Sequence, residues 1–181
     1  MGLALCDQPE TIAQVLAQTA RAFIEVGRAQ YELLPSLDGG WSPWVFGLWA
    51  PGRVMRTQSD SASQLSPEMY REQILPHDRA IAQAFDYSVV DLHSAGTLHL
   101  HPVLLEMEEL DAISVTLDGY RNPPTIEELT PTFAAILEGK SLIVAGEMKA
   151  EQLDRLTRAL PSGCLCIYAS ITDKLLWERP V

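Results

Sequence analysis

Cysteine is scarce in this sequence, positive charge is outnumbered, and no long apolar run occurs. Cys6, Cys164 and Cys166 are the only cysteines, too few and too oddly numbered for the framework that staples small secreted domains, so free thiols are expected. Thirteen Lys and Arg stand against 24 Asp and Glu, a formal charge of −11. Such a balance offers no basic footprint to a nucleic-acid backbone, and none to an anionic membrane surface. A bilayer span needs about 18 consecutive apolar residues, and none exist. Asp7, Glu10, Arg21 and Glu25 interrupt the stretch where a signal peptide would carry its apolar core. Nucleic acid and membrane are therefore set aside as partners, and a cytoplasmic location is expected. Internal repeats and low-complexity tracts are missing too, as are the GxGxxG, GxxxxGKS/T, HExxH, CxxC and GxSxG patterns, so no phosphate-loop, zincin or nucleophile-elbow chemistry is written in the chain.

What remains is an ordinary globular composition, 181 residues with 47% hydrophobic and 20% charged, expected to form one α/β domain over residues 1–181. The apolar positions Ile12, Val15, Leu16, Ala20, Phe23, Ile24 and Val26 recur every three or four residues, which predicts a long helix over 9–34 that Pro35 stops. Residues 38–51 read as a loop rich in Gly, Pro and Trp. Its aromatics Trp41, Trp44, Phe46 and Trp49 are natural covers for an apolar face. From residue 53 to 181 short apolar strands alternate with helices: strands at 53–58, 87–92, 112–117, 141–145 and 164–169, helices over 67–85 (broken or restarted near Pro76), 101–107, 125–137 and 151–160. That alternation is the pattern of βα units around a parallel sheet, either a small doubly wound sheet or part of a (β/α)8 TIM barrel. Gly139 is expected to end its helix in the left-handed conformation, and Cys164 and Cys166 to pack as small core residues.

Parallel α/β architectures bind ligands at the carboxyl ends of their strands. Those ends carry Gln58 and Asp60, His93 and Ser94, Thr116 and Asp118, Glu147, and Tyr168 with Ser170. Asp60, His93, Asp118 and Glu147 are expected to converge on one rim. His93, directly after an apolar strand, is the foremost candidate for general acid–base work. His99 and His101 follow nearby at a spacing that matches no structural zinc pattern, and no metal is assigned. Arg53, Arg56 and Arg71 bracket the first strand and the next helix, where a guanidinium can pair an anionic group or a structural carboxylate.

The run from Ser66 to Pro76, SPEMYREQILP, followed by a strand ending in Leu92-His93-Ser94-Ala95-Gly96, resembles the uroporphyrinogen decarboxylase superfamily, whose corresponding segments read LSPEMYREFVLPY and HSCG. The similarity extends from about Pro9 onward. It implies a (β/α)8 barrel of which these residues correspond to the carboxy-terminal half to two-thirds. It further implies a decarboxylase-like lyase of porphyrin biosynthesis acting on an anionic small molecule without a cofactor, His93 giving a proton while Asp60 or Asp118 holds ring nitrogens. Arg56, Gln58, Glu147 and Tyr168 would line the substrate. The superfamily also contains corrinoid-linked methyltransferases with zinc on a His and two Cys. Here Ala95 stands at the first cysteine position and no cysteine follows Ser170, so zinc-dependent methyl transfer is not expected. A different class of reading is a non-catalytic binding or assembly module, a partial barrel completed by another chain or by a second copy, since an open sheet leaves unpaired edges and an apolar face.

Overall fold

Five segments rich in Val, Ile and Leu become strands in the computed structural model, which describes residues 5, 7–42, 48–118 and 123–173. They are β1 (Val54–Gln58), β2 (Tyr87–His93), β3 (Ala112–Thr116), β4 (Ser141–Met148) and β5 (Leu165–Ile171). Around them lie α1 (Pro9–Leu33), α2 (Pro67–Gln73), α3 (Leu75–Ala82), α4 (His101–Leu105), α5 (Ile126–Leu137) and α6 (Ala150–Ala159), with 3-10 turns at Asp60–Gln64 and Leu98–Leu100. Neighbouring strands are all parallel, in the order β1-β2-β3-β4-β5. A doubly wound sheet reverses its order at a switch point, and this one does not. Sequential order is the order of a barrel wall.

The two sheet faces differ as a barrel wall's would. Val90, Leu92, Ile113, Val115, Leu142 and Val144 pack with the helix residues Leu104, Phe133, Ile136 and Leu156 in the main core. Strand residues of opposite parity, Val54, Val89, Ala112 and Ile143, cluster instead with Leu48, Ala50, Tyr87 and Cys166, none of them helical. This second face is called the inner face below.

Helix 67–85 restarts near Pro76 as expected: two helices meet at Ile74, because Pro76 lacks the N–H that an unbroken ladder needs and sits in the first turn of α3. Several other local expectations are corrected. His93 and Glu147 lie within their strands, since β2 and β4 extend further than their apolar runs. Gly139 is not left-handed. Its N–H and that of Lys140 both reach Ile136 O, at 3.1 and 2.8 Å, so the last turn closes on itself. Cys164 is exposed at φ 61° and does not pack in a core, whereas Cys166 is half-buried and packs against the inner-face cluster; both are free thiols. In the aromatic loop Trp41 and Ala50 form a short antiparallel bridge, whereas Trp44 and Phe46 lie outside the described residues.

α1 is stitched to the body by Ile12, Leu16, Ala20, Ile24 and Tyr31. At Gly27 the approach is closest: a Cβ there would come within 2.5 Å of Met55 Cε and 2.8 Å of Phe85 Cζ. Among the described residues no helix is long and apolar enough to cross a membrane.

Candidate functional site

β1, β2 and β3 end side by side, and register decides which polar residues share the inner face there. Gln58 pairs with Asp91, and His93 with Thr116. After β1 the chain turns into the 3-10 segment Asp60–Gln64, which sets Asp60 and Ser63 beside the end of β2. After β2 the chain folds back at once: the N–H groups of Gly96 and Thr97 return to His93 O (3.2 and 3.1 Å), and His93 N–H donates to Thr97 Oγ1 at 2.8 Å. Together Asp60, Ser63, His93, Ala95, Gly96, Thr97 and Asp118 line a cleft of about 400 Å³, within the range of small-molecule sites.

His93 is gripped from both sides. Its Nδ1 lies 2.8 Å from Asp118 Oδ1, and its Nε2 lies 3.3 Å from Asp60 Oδ1 and 2.9 Å from Gln58 Nε2. The second oxygen of Asp118 accepts from Ala95 N–H at 2.7 Å and from Ser94 Oγ at 3.2 Å. Asp118 is only 9% exposed. Burial by itself raises its carboxyl, but the Ala95 N–H, the imidazole and the Ser94 hydroxyl outweigh it and hold the group below the usual carboxylate range. An ionised Asp118 keeps the proton of a neutral imidazole on Nδ1 and presents the Nε2 lone pair beside Asp60. An imidazole oriented by a carboxylate, at the wall of a cleft, is built to accept and return a proton.

Of the residues picked from the sequence, Asp60, His93 and Asp118 meet in the cleft, and Gln58 and Arg56 join them by hydrogen bonds. Glu147 and Tyr168 do not line it. They sit on the inner face of β4 and β5, opposite Ser170 and Ala145, at least two strands from His93 in a strictly sequential sheet. His99 and His101 are occupied with Leu65 O and Leu98 O, each at 2.9 Å, and Arg71 forms a forked pair with Glu106 (3.0 and 2.7 Å). Among the described residues no group of three His, Cys, Asp or Glu side chains is arranged to hold a metal ion.

Sequence reasoning passed over Asp91, buried beneath the site and bonded to Arg56 at 2.7 Å. An acid inside an otherwise apolar strand was the signal, because an unpaired buried carboxylate is too costly to be accidental. Ser63, Gly96 and Thr97 carried no such mark. No protein-family model, curated protein or solved structure matches this chain.

Proposed function

We propose that the protein binds a small molecule in the cleft at the carboxyl ends of β1 to β3 and moves a proton on it through His93. The observation that supports this reading is the Asp118–His93 pair at 2.8 Å, with Nε2 beside Asp60 at the cleft wall. The reaction class favoured by the resemblance to uroporphyrinogen decarboxylases is a lyase step, in which the Nε2 lone pair of His93 first takes a proton from water and the imidazolium then delivers it to the carbanion left when carbon dioxide departs, returning to the neutral ring. Asp60, 73% exposed, is the carboxylate that meets a hydrogen-bond donor on the ligand, such as a ring N–H. The cleft is lined by two carboxylates and no Lys or Arg, so it favours the donor-bearing part of the ligand, with the departing carboxylate turned away from Asp60 and Asp118.

The test begins with calorimetric screening of the purified protein against porphyrinogens, corrinoids and methylated thiols. For whichever compound binds and turns over, His93→Gln is expected to bind it within a few-fold and to lose a factor of roughly 10²–10⁴ in kcat. Unchanged turnover in that variant removes His93 from the chemistry and the proposal with it.

A second reading, assembly with another copy of the chain, draws on a different observation. The inner face carries an apolar cleft of about 340 Å³ away from His93, lined by residues that include Trp49, Val54, Tyr87, Ile143 and Cys166. Covering such a face is what a partner subunit does.

A further inference from the structure

The amide of Gln58 lies between two groups that cannot both see the same end of it. Arg56 Nη2 only donates, and it meets Gln58 Oε1 at 2.9 Å. Ionised Asp60 only accepts, and its Oδ1 meets Gln58 Nε2 at 2.7 Å. Turning the amide over would set a carbonyl oxygen against a carboxylate and an amide N–H against a guanidinium N–H, exchanging two good bonds for two repulsions. The orientation is therefore determined by charge. His93 Nε2, 2.9 Å from Gln58 Nε2, then faces an N–H, which favours a lone pair there over an Nε2–H shared with Asp60 Oδ1 at the longer 3.3 Å and leaves the ring proton on Nδ1 for Asp118.

Arg56 has its own anchor. The same Nη2 that holds Gln58 lies 2.7 Å from Asp91 Oδ2, and the Asp91 side chain is 1% exposed. Thr116 Oγ1 donates to both Asp91 oxygens, at 3.3 and 3.1 Å. Asp91 precedes His93 by two residues on the same strand face, yet makes no hydrogen bond to the imidazole.

We infer that Asp91 is a positioning residue for His93: through Arg56 it orients the Gln58 amide, and the amide holds His93 as the neutral Nδ1–H tautomer with its Nε2 lone pair ready for a proton. The inference builds on His93 as the proton-transfer group but concerns the imidazole's resting state, which is measurable without any substrate. The charged groups around the ring are Asp60 from the 3-10 turn, Asp118 after β3, Arg56 from β1 and Asp91 from its own strand. Removing the charge of Asp91 by simple electrostatics lowers the affinity of His93 for a second proton. Releasing the relay does the opposite, because a freed Gln58 turns its carbonyl toward Nε2–H and favours an imidazolium between Asp60 and Asp118.

The experiment is a pH titration of the full chain with 15N-labelled histidine, followed by the nitrogen resonances of His93. The wild-type protein is expected to show a protonated Nδ1 and an unprotonated Nε2. Asp91→Asn is expected to mix the tautomers and raise the proton affinity by about threefold or more. If that variant alone does not fold, as an Arg56 left without its buried partner would cause, the double variant Arg56→Met with Asp91→Asn removes the pair together and is expected to give the same change. A wild-type ring protonated on Nε2, or a folded variant with unaltered tautomer or a lowered midpoint, overturns the inference. Failure of His93→Gln to affect turnover leaves these resonances as they are, so failure of the proposed function is told apart from failure of the relay.

Discussion

Two half-buried carboxylates in this protein are shifted in opposite directions, and counting their donors explains why. Asp118 collects Ala95 N–H, the His93 ring and Ser94 Oγ, enough to overcome its burial and keep it charged beside the imidazole. Asp78, on α3, receives only the Tyr70 hydroxyl. Burial pushes its carboxyl from the ordinary 3.8 up to about 6, with the Tyr70 bond pulling weakly the other way. Burial likewise pushes the Tyr70 hydroxyl up, so it stays a donor. A raised folded-state value means that the folded chain prefers the neutral acid. The stability from that preference is complete below 3.8, where both states are protonated, and is lost as pH rises through about 6. Asp78→Asn, neutral at every pH, is therefore expected to raise stability at pH 7 by up to roughly 3 kcal/mol. It should also flatten the fall in stability between those two values. Urea unfolding across that window measures both effects, and parallel curves for the two proteins would show that Asp78 titrates as an exposed acid does.

At the level of elements, α1 contributes a clamp as well as a stripe. Tyr31, near its end, hydrogen-bonds through one hydroxyl to both the N–H and the carbonyl of Val54, so the outer edge of β1, which no strand pairs among the described residues, is capped at its first residue by a side chain. Edge strands left open are templates for unwanted pairing. The clamp works only if α1 lies close, and Gly27 sets that distance against Met55 and the buried Phe85 ring. Ordinarily Gly→Ala in a helix interior gains about 1 kcal/mol. Here the methionine end can swing aside but the Phe85 ring must be displaced, so Gly27→Ala is expected to destabilise by about 1–2 kcal/mol net. Thermal unfolding reads the sign directly: a raised Tm would mean that α1 rides free of the body.

The whole molecule presents one face covered by helices and one that is not, which bears on its state of association. Among the described residues no strand pairs with the outer edge of β5, and Trp49 and Tyr168 are 50% and 56% exposed. Helices cover the outside of a barrel wall while the inside is closed by the wall itself; five strands leave that closure to something else. If a second copy supplies it, size-exclusion chromatography with light scattering will give twice the 20.0 kDa chain mass, and Trp49→Ser will shift the population toward the monomer. A stable, strictly monomeric protein at all concentrations speaks against assembly between copies.

How much of this was legible beforehand follows from the range of the forces involved. Alternating apolar runs and helical periodicity act over a few residues, so the α/β class, the five strands and the polar character of their ends were readable in the chain, His93 among them. Asp91 was visible as an anomaly, an acid in an apolar strand, but its meaning was not, because its partner Arg56 is 35 positions away and reaches it only through the register of β1 on β2. Glu147 and Tyr168 share the carboxyl side of the sheet as their strand ends suggested, but they stand on β4 and β5 and do not line the cleft around His93. Sequence by itself thus determined the elements and the chemistry available at their ends. Strand order, an inner face packed with loop and strand residues instead of helices and the chain of bonds from Asp91 to His93 were decided only in the tertiary structure, because each depends on which distant segments lie side by side, and local preferences do not encode that.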